Sequence, residues 1–343
     1  MPRMMLLFVL SLVLCLCGFA CTVPAQNPEI TDPAEAAKDP DFAVQGEYLT
    51  EGNVETKNAN DHFRIGAQVI ALGDGKFSVV VYKGGLPGDG WKRDDRRKML
   101  DGKLVGKEVI LTDAAPENKA DDAKAKPAGK IADGIMTALA PEGTWTLKRV
   151  ERKSPTLAAK PPEGAVVLFD GTTAENFEHG TLLPDKNLLS EATSKQGFGD
   201  YALHVEFRLS YMPFAREQAR SNSGVYLHDC YEIQVLDSFG LEGENNECGG
   251  FYQLRKPDVN MCFPPLAWQT YDVKFTAPKY EGGKKVANAK VEVRHNGVVI
   301  HPEFELAHAT PGRQDEGPAP RPFYLQGHGN KVEYRNIWVK ENK

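Results

Sequence analysis

The chain has 343 residues, enough for two domains of ordinary size. It is 41% hydrophobic and 26% charged, with 32 glycines and 23 prolines, a globular balance that suits many short strands joined by turns. A net charge of −6 offers no basic field to recruit nucleic acid or an anionic membrane surface, so neither is expected as a partner.

At the N-terminus Arg3 precedes an almost unbroken apolar run, Met4 to Ala20, and Val23-Pro24-Ala25 gives a small-residue cleavage site before Gln26. Residues 1–25 therefore predict a signal peptide and an exported protein: periplasmic, cell-surface or extracellular. Gly18-Phe19-Ala20-Cys21 loosely resembles a lipobox, so the membrane is expected only through the signal or a lipid anchor on Cys21. The run is short for a membrane span. Of six cysteines, Cys15, Cys17 and Cys21 lie in or beside the signal. In an oxidising compartment Cys248 and Cys262 can close a short loop disulfide and leave Cys230 over; three buried unpaired thiols are the alternative. No CxxC pair is present, which argues against structural zinc.

Residues 26–40 are rich in Pro, Ala and Asp and read as a flexible leader. Residues 41–153 carry strand-like runs at Phe42 to Leu49, Ala67 to Leu72, Phe77 to Tyr82, Val109 to Leu111 and Gly143 to Val150. Gly73-Asp74-Gly75, Gly84-Gly85 and Leu86-Pro87-Gly88 supply turns between them, and Lys119 to Lys130 reads as a solvated loop. This predicts a small all-β domain without recognisable chemistry. Residues 154–163, SPTLAAKPPE, form a Pro-rich connector to a second domain, 164–343.

The second domain is strand after strand. Tyr201, Leu203, Val205, Phe207 and Leu209 fall on one face of a strand, with His204, Glu206, Arg208 and Ser210 on the other. Tyr231, Ile233 and Val235 alternate with Glu232 and Gln234 in the same way. Further runs begin at Trp268, Lys290, Val298, Pro322 and Val332, and Asn296-Gly297 signals a type I′ hairpin. The fold class expected is all-β: a jelly-roll sandwich of two antiparallel sheets preceded by the small β domain.

Six segments lie in one order along this domain: Leu168-Phe169-Asp170-Gly171, Ser221 to Tyr226 (SNSGVY), Tyr231 to Asp237 (YEIQVLD), Trp268 to Asp272 (WQTYD), Leu325 to Asn330 (LQGHGN) and Tyr334 to Trp338 (YRNIW). Together they resemble the 3-keto-disaccharide hydrolase family, formerly a domain of unknown function. The resemblance covers Gly164 to Lys343 and implies a concanavalin-like sandwich that hydrolyses oxidised disaccharides or glycosides. Two positions depart from the family's usual pattern. Phe177 stands where Trp is common, and Gly327 stands where an Asp often precedes the histidine, so no carboxylate adjoins His328.

The chemistry is expected on the YEIQVLD strand. Glu232 and Gln234 share a face, and one bulge residue would bring Asp237 to it. Paired carboxylates about 5 Å apart serve retaining glycosidases, but Gln234 and the short Asp237 weaken that reading. A 3-keto sugar opens another route. The ketone acidifies the C2 proton, a base removes it, the C1 substituent leaves, and water adds. Glu232 or His328 would be the base and Asp237 the acid, while Arg208 or a divalent metal ion would stabilise the enolate. Gln234, Asn222, Arg208, Tyr226, Tyr324 and Gln326 are the candidate sugar contacts. Tyr226 and Tyr324 are able to stack on a ring. Asn222-Ser223-Gly224 is equally plain turn chemistry. His204 and His228 are the candidate metal ligands. The alternative function is a lectin-like module that binds glycan without cleaving it.

Overall fold

The computed structural model describes residues 28–54, 62–114, 126–140 and 143–342. The expected signal peptide, the anchor at Cys21 and residues 119–125 of the expected loop lie outside the described residues; that loop's end, 127–130, is strand instead. Of the described residues, 28–40 correct the expectation of a flexible leader, and 42–44 correct that of a strand starting at Phe42, which begins only at Gly46. Two short helices, Pro33–Ala36 and Pro40–Val44, each start with proline behind an aspartate cap, Asp32 and Asp39. Ile30 makes a β-bridge to Tyr211, whose hydroxyl donates to Asp39 at 2.9 Å, so this segment is tied to the second domain.

The first domain is a closed antiparallel barrel. Its strands run in the order Gly46–Leu49, Gly143–Val150, Ile135–Ala140, Pro127–Ala132, Glu108–Asp113, Arg97–Val105, Lys76–Lys83 and Ile65–Gly73, and the last pairs with the first. An eight-stranded barrel leaves an interior that side chains can fill. Tyr48, Val69, Phe77, Val79, Leu100, Leu111, Met136 and Leu147 fill it here. Ile65–Gly73 is apolar on both faces because its two faces meet different neighbours. Val69 and Ala71 line the barrel, whereas Ile70 joins the core cluster of the second domain together with Val80, Tyr82 and Trp91. Each such side chain removed from water contributes roughly 1.5–3 kcal/mol.

The second domain is a two-sheet sandwich. One sheet runs Val166–Phe169, Glu333–Glu341, Tyr201–Arg208, Trp268–Thr276, Ala289–His295 and Val298–Leu306, with Leu188–Leu189 added beside Glu333–Glu341. The five-stranded sheet runs Phe177–Glu178, Ala192–Ser194, Tyr324–Leu325, Asn222–Leu227 and Tyr231–Leu236. The predicted alternation holds. Tyr201, Leu203, Val205 and Phe207 from one sheet meet Val225, Leu227, Ile233 and Val235 from the other. Asn296 and Gly297 adopt φ of 50° and 80° in the two-residue turn between His295 and Val298, the doubly left-handed geometry that asparagine and glycine permit. The connector is a strap across the outer face of the larger sheet. Thr156 Oγ1 donates to Asp272 Oδ2 at 2.6 Å, and the Ala159 carbonyl accepts from Asn336 Nδ2 at 3.0 Å.

Candidate active site

Strand alternation gives each sheet an outer face, and each outer face holds a buried glutamate. On the five-stranded sheet, Asn222, Gly224 and Tyr226 lie on the side turned from the core, in register with Leu236, Gln234 and Glu232 of the neighbouring strand. The Glu232 side chain is therefore not part of the hydrophobic core, yet it is only 2% exposed. Tyr226 Oη donates to its Oε2 at 2.8 Å, and Gln326 Nε2 donates to Tyr226 Oη at 3.3 Å. Its Oε1 rests over Gly224, where an added Cβ would stand 2.3 Å away. Burial pushes the Glu232 pKa up to about 7, against a partial opposing effect of the Tyr226 hydrogen bond. Such a carboxyl can take and return a proton near neutral pH.

Two buried acceptors on this face lack partners. Asn222 spends its amide N–H on the Gln218 carbonyl and side chain, at 2.8 and 3.2 Å, which leaves Oδ1 buried and unbonded. Gln326 Oε1 is likewise buried without a partner. Gln234 Nε2 donates to Gln218 Oε1 at 3.2 Å. Unpaired buried acceptors suit hydroxyl donors such as those of a sugar. Tyr324, half-buried, extends the face outward with its ring 5.8 Å from that of Tyr226, and the Arg313 guanidinium lies 4.0 Å from the Tyr324 ring centroid. The expected open trough is thus roofed at its floor. The 3₁₀ turn Glu217–Ala219 and the loops through Asn246 and Thr310 close over Glu232 and Gln234.

The structure brings Glu232, Gln234, Asn222, Tyr226, Tyr324 and Gln326 to one face, and it separates the other candidates from them. Asp237 follows the strand's end, where Arg220 Nε holds its Oδ2 at 2.7 Å and Phe239 N–H donates to its Oδ1. No bulge returns it beside Glu232, so its assignment as the acid is corrected. His328 is on an exposed loop after Gln326. Arg208 lies on the outer face of the other sheet, paired with Glu333 at 2.5 Å and over Trp268, and cannot serve an enolate at Glu232. The two proposed metal ligands are not neighbours. His204 is on that same far face, whereas His228 occupies the hairpin turn against Phe275, where burial pushes its pKa down to about 4. Among the described residues no group of three His, Cys, Asp or Glu is arranged to hold a metal ion. The expected disulfide is also corrected: Cys248, Cys262 and Cys230 are free and buried. Cys248 Sγ is within hydrogen-bonding reach of Tyr271 Oη, at 3.2 Å.

Sequence reading missed Gly224, Gln218 and Thr310. Gly224 had a signal, because it is the small residue at an alternating position directly across from Gln234. Asn222-Ser223-Gly224 forms strand rather than a turn. Gln218 and Thr310 reach the site from loops, and nothing local in the sequence announces that.

The outer face of the larger sheet carries a second polar cluster. Glu206 is fully buried and accepts from Ala158 N–H at 2.5 Å, Arg335 Nε at 2.7 Å and Asn336 Nδ2 at 2.9 Å, with His204 Nε2 at 3.5 Å. A register shift opposite His204 and Glu206, with Asn336 at φ 45°, lets Arg335 and Asn336 address the same carboxylate. Burial alone would raise the Glu206 pKa, but these donors bring it down to about 2. A cleft of about 430 Å³ borders this cluster and the strap.

The fold is an all-β sandwich of the concanavalin-like kind, with a shielded carboxyl, amides and tyrosines on one sheet face. Residues 164–340 match the model of the 3-keto-alpha-glucoside-1,2-lyase-like domain, and the chain belongs to that family. Two crystal structures from Parabacteroides distasonis ATCC 8503, both named as candidate glycosyl hydrolases, are similar to this chain. One is 29% identical, with a TM-score of 0.47, over 53% of this chain and 85% of its own. The other is 18% identical, with a TM-score of 0.40, over 53% and 95%. No curated protein matches.

Proposed function

We propose that this chain cleaves 3-keto-glycosides, with Glu232 as the proton-transferring group. The observation that carries this reading is geometric: one carboxyl, turned away from the core and held by a single side-chain donor, shares its sheet face with two unpaired amide oxygens. Glu232 takes the C2 proton as the C3 ketone accepts the electron pair. The C1–O bond then breaks as C1=C2 forms, and the departing oxygen recovers a proton from Glu232. Water adding across C1=C2 completes a net hydrolysis. One carboxyl performing both transfers removes the need for Asp237. Tyr226 orients Glu232, and Asn222 and Gln326 accept from sugar hydroxyls.

Incubation with methyl 3-keto-α-glucoside and 3-keto-trehalose, followed by product analysis, tests this. Sugar release that disappears in Glu232→Gln is expected. Release that survives in Glu232→Gln, or none across such substrates, overturns it. The half-exposed Tyr324 platform favours one second reading, glycan binding without cleavage. Retention of intact glycan with no turnover would mark it. We also place the reaction outside the cytoplasm, on the strength of the apolar run Met4 to Ala20. Sequencing the mature N-terminus checks this, and a chain still starting at Met1 would refute it.

A further inference from the structure

We infer that the N-terminal barrel is a structural part of the substrate site, because it holds the two loops that set the orientation of Asn222 and Gln234. This deepens the function proposed above and rests on it. The key residue is Gln218. Its Oε1 accepts from Asn222 Nδ2 and from Gln234 Nε2, each at 3.2 Å, and its own Nε2 donates to the Asn246 carbonyl at 2.7 Å. Gln218, through this side chain and through its backbone carbonyl, which accepts from Asn222 Nδ2 at 2.8 Å, fixes which way the two amides face and leaves Asn222 Oδ1 unpaired.

Both loops that meet at Gln218 rest on the barrel. On one side of the 3₁₀ turn Glu217–Ala219, Arg216 Nη2 donates to the Leu72 carbonyl at 2.9 Å. On the other, Arg220 bonds the Ala71 carbonyl at 3.4 Å while pairing with Asp237. Phe214 lies flat against Gly73, where any Cβ would meet its ring at 2.4 Å. The Asn246 loop is held from the barrel's other flank. Arg93 donates to the carbonyls of Gly243, Pro257 and Asp258, at 3.0, 2.7 and 3.2 Å, and Arg97 pairs with Glu242. Asp237, Arg93 and Arg216, none of which touches the face of Glu232, thus act through Gln218, a positioning residue. This gives the barrel a purpose that its sequence does not disclose.

The test uses the full-length protein. Gln218→Ala should raise KM for methyl 3-keto-α-glucoside by about tenfold, with kcat changed less than threefold and the pH profile of kcat unmoved. Gln218→Glu, which keeps an acceptor for both amides but sets an oxygen against the Asn246 carbonyl, should recover only part of the loss. Arg93→Ala combined with Arg216→Ala should raise KM in the same direction. In amide hydrogen exchange it should speed exchange across residues 214–222 and 243–250 at least fivefold while the barrel strands stay protected. Unchanged KM in Gln218→Ala, or unchanged exchange in the double arginine variant, overturns the inference. The exchange experiment needs no turnover. A wild-type protein inert toward 3-keto sugars would therefore sink the functional reading while the clamp is still decided.

Discussion

Glu206 and Glu232 are both buried glutamates on outer faces of one sandwich, and the molecule treats them in opposite ways. Glu206 receives donors from a strap amide, an arginine and an asparagine, with a histidine close by, and its pKa falls to about 2. Glu232 has one tyrosine donor, and its pKa rises to about 7. The difference lies in what surrounds each carboxylate rather than in depth of burial. A carboxylate saturated with donors is permanently charged and ties parts together. One starved of donors keeps its proton near neutrality and remains free to exchange it. On this argument the cluster of Glu206, His204, Arg335 and Asn336 fastens the strap to the sheet, and the Glu232 face is the one we propose for chemistry.

Exchanging each glutamate for glutamine gives the sharpest way to break the comparison. Glu232→Gln should lower turnover of a 3-keto-glycoside by about 10²–10⁴-fold, the usual contribution of a general base. Its stability should hold or rise, because an unfavourable buried charge is gone. Glu206→Gln should do the reverse. It leaves Arg335 and the other donors facing a neutral amide; because Arg335 is about one third exposed, the cost should be about 1–3 kcal/mol, that of weakened charge-assisted hydrogen bonds. Turnover per folded molecule should stay within a few-fold. Urea unfolding and turnover measured on both variants decide the matter. A stable Glu206→Gln protein without activity would reverse the two assignments.

pH separates the two groups next. The raised Glu232 means that the folded state binds the extra proton between pH 4.5 and about 7. Stability should therefore fall as pH rises through that window, by an upper bound of roughly 3 kcal/mol, and level off above it. The lowered Glu206 acts with the other sign, contributing stability that is present above pH 4.5 and lost as pH falls toward 2. For His204, burial opposes its charge, but Asp272 and Glu206 outweigh this and hold its pKa above the ordinary 6.5. Its contribution is complete below pH 6.5 and disappears as pH rises past its folded value. Chemical unfolding of wild type and Glu232→Gln from pH 4.5 to 7.5 checks the first claim. The difference between the curves should open across that range, and parallel curves would refute it.

How much of this was legible in the sequence follows from which interactions are local. Alternation in Tyr201 to Leu209 and Tyr231 to Leu236 correctly assigned inward and outward side chains, since a strand has a period of two. It put Glu232 and Gln234 on a common face, to which the strand register adds Asn222, Tyr226, Tyr324 and Gln326, offered by the sequence only as candidate contacts. It could not tell which of the sandwich's two outer faces a residue joins, and so Arg208 and His204 were grouped with Glu232 although they belong to the opposite sheet. Asp237 was misplaced for a different reason. Its partner, Arg220, comes from another segment and from the packing of the barrel, neither of which a bulge argument can see. The barrel's closure was likewise hidden, because pairing Gly46–Leu49 with Gly143–Val150 spans most of the domain.

The smallest effect concerns Tyr226, which touches Glu232 without being its equal. Tyr226→Phe removes the one side-chain hydroxyl donating to Glu232 and leaves the ring packed beside Tyr324. Hydrogen bonding to the charged form favours that form, so its loss should favour the protonated carboxyl further. The acidic limb of the kcat–pH profile, which follows ionisation of Glu232 as the base, should move to higher pH. Turnover at neutral pH should drop by about tenfold, since a hydrogen bond to a charged group is worth about 1.5–3 kcal/mol and only part of it is felt in the transition state. Stability at pH 5, where Glu232 is protonated, should hardly change. That combination separates an orienting donor from a second proton carrier: had Tyr226 itself delivered the proton to the leaving group, phenylalanine would cost as much as Glu232→Gln and would not shift the limb at all.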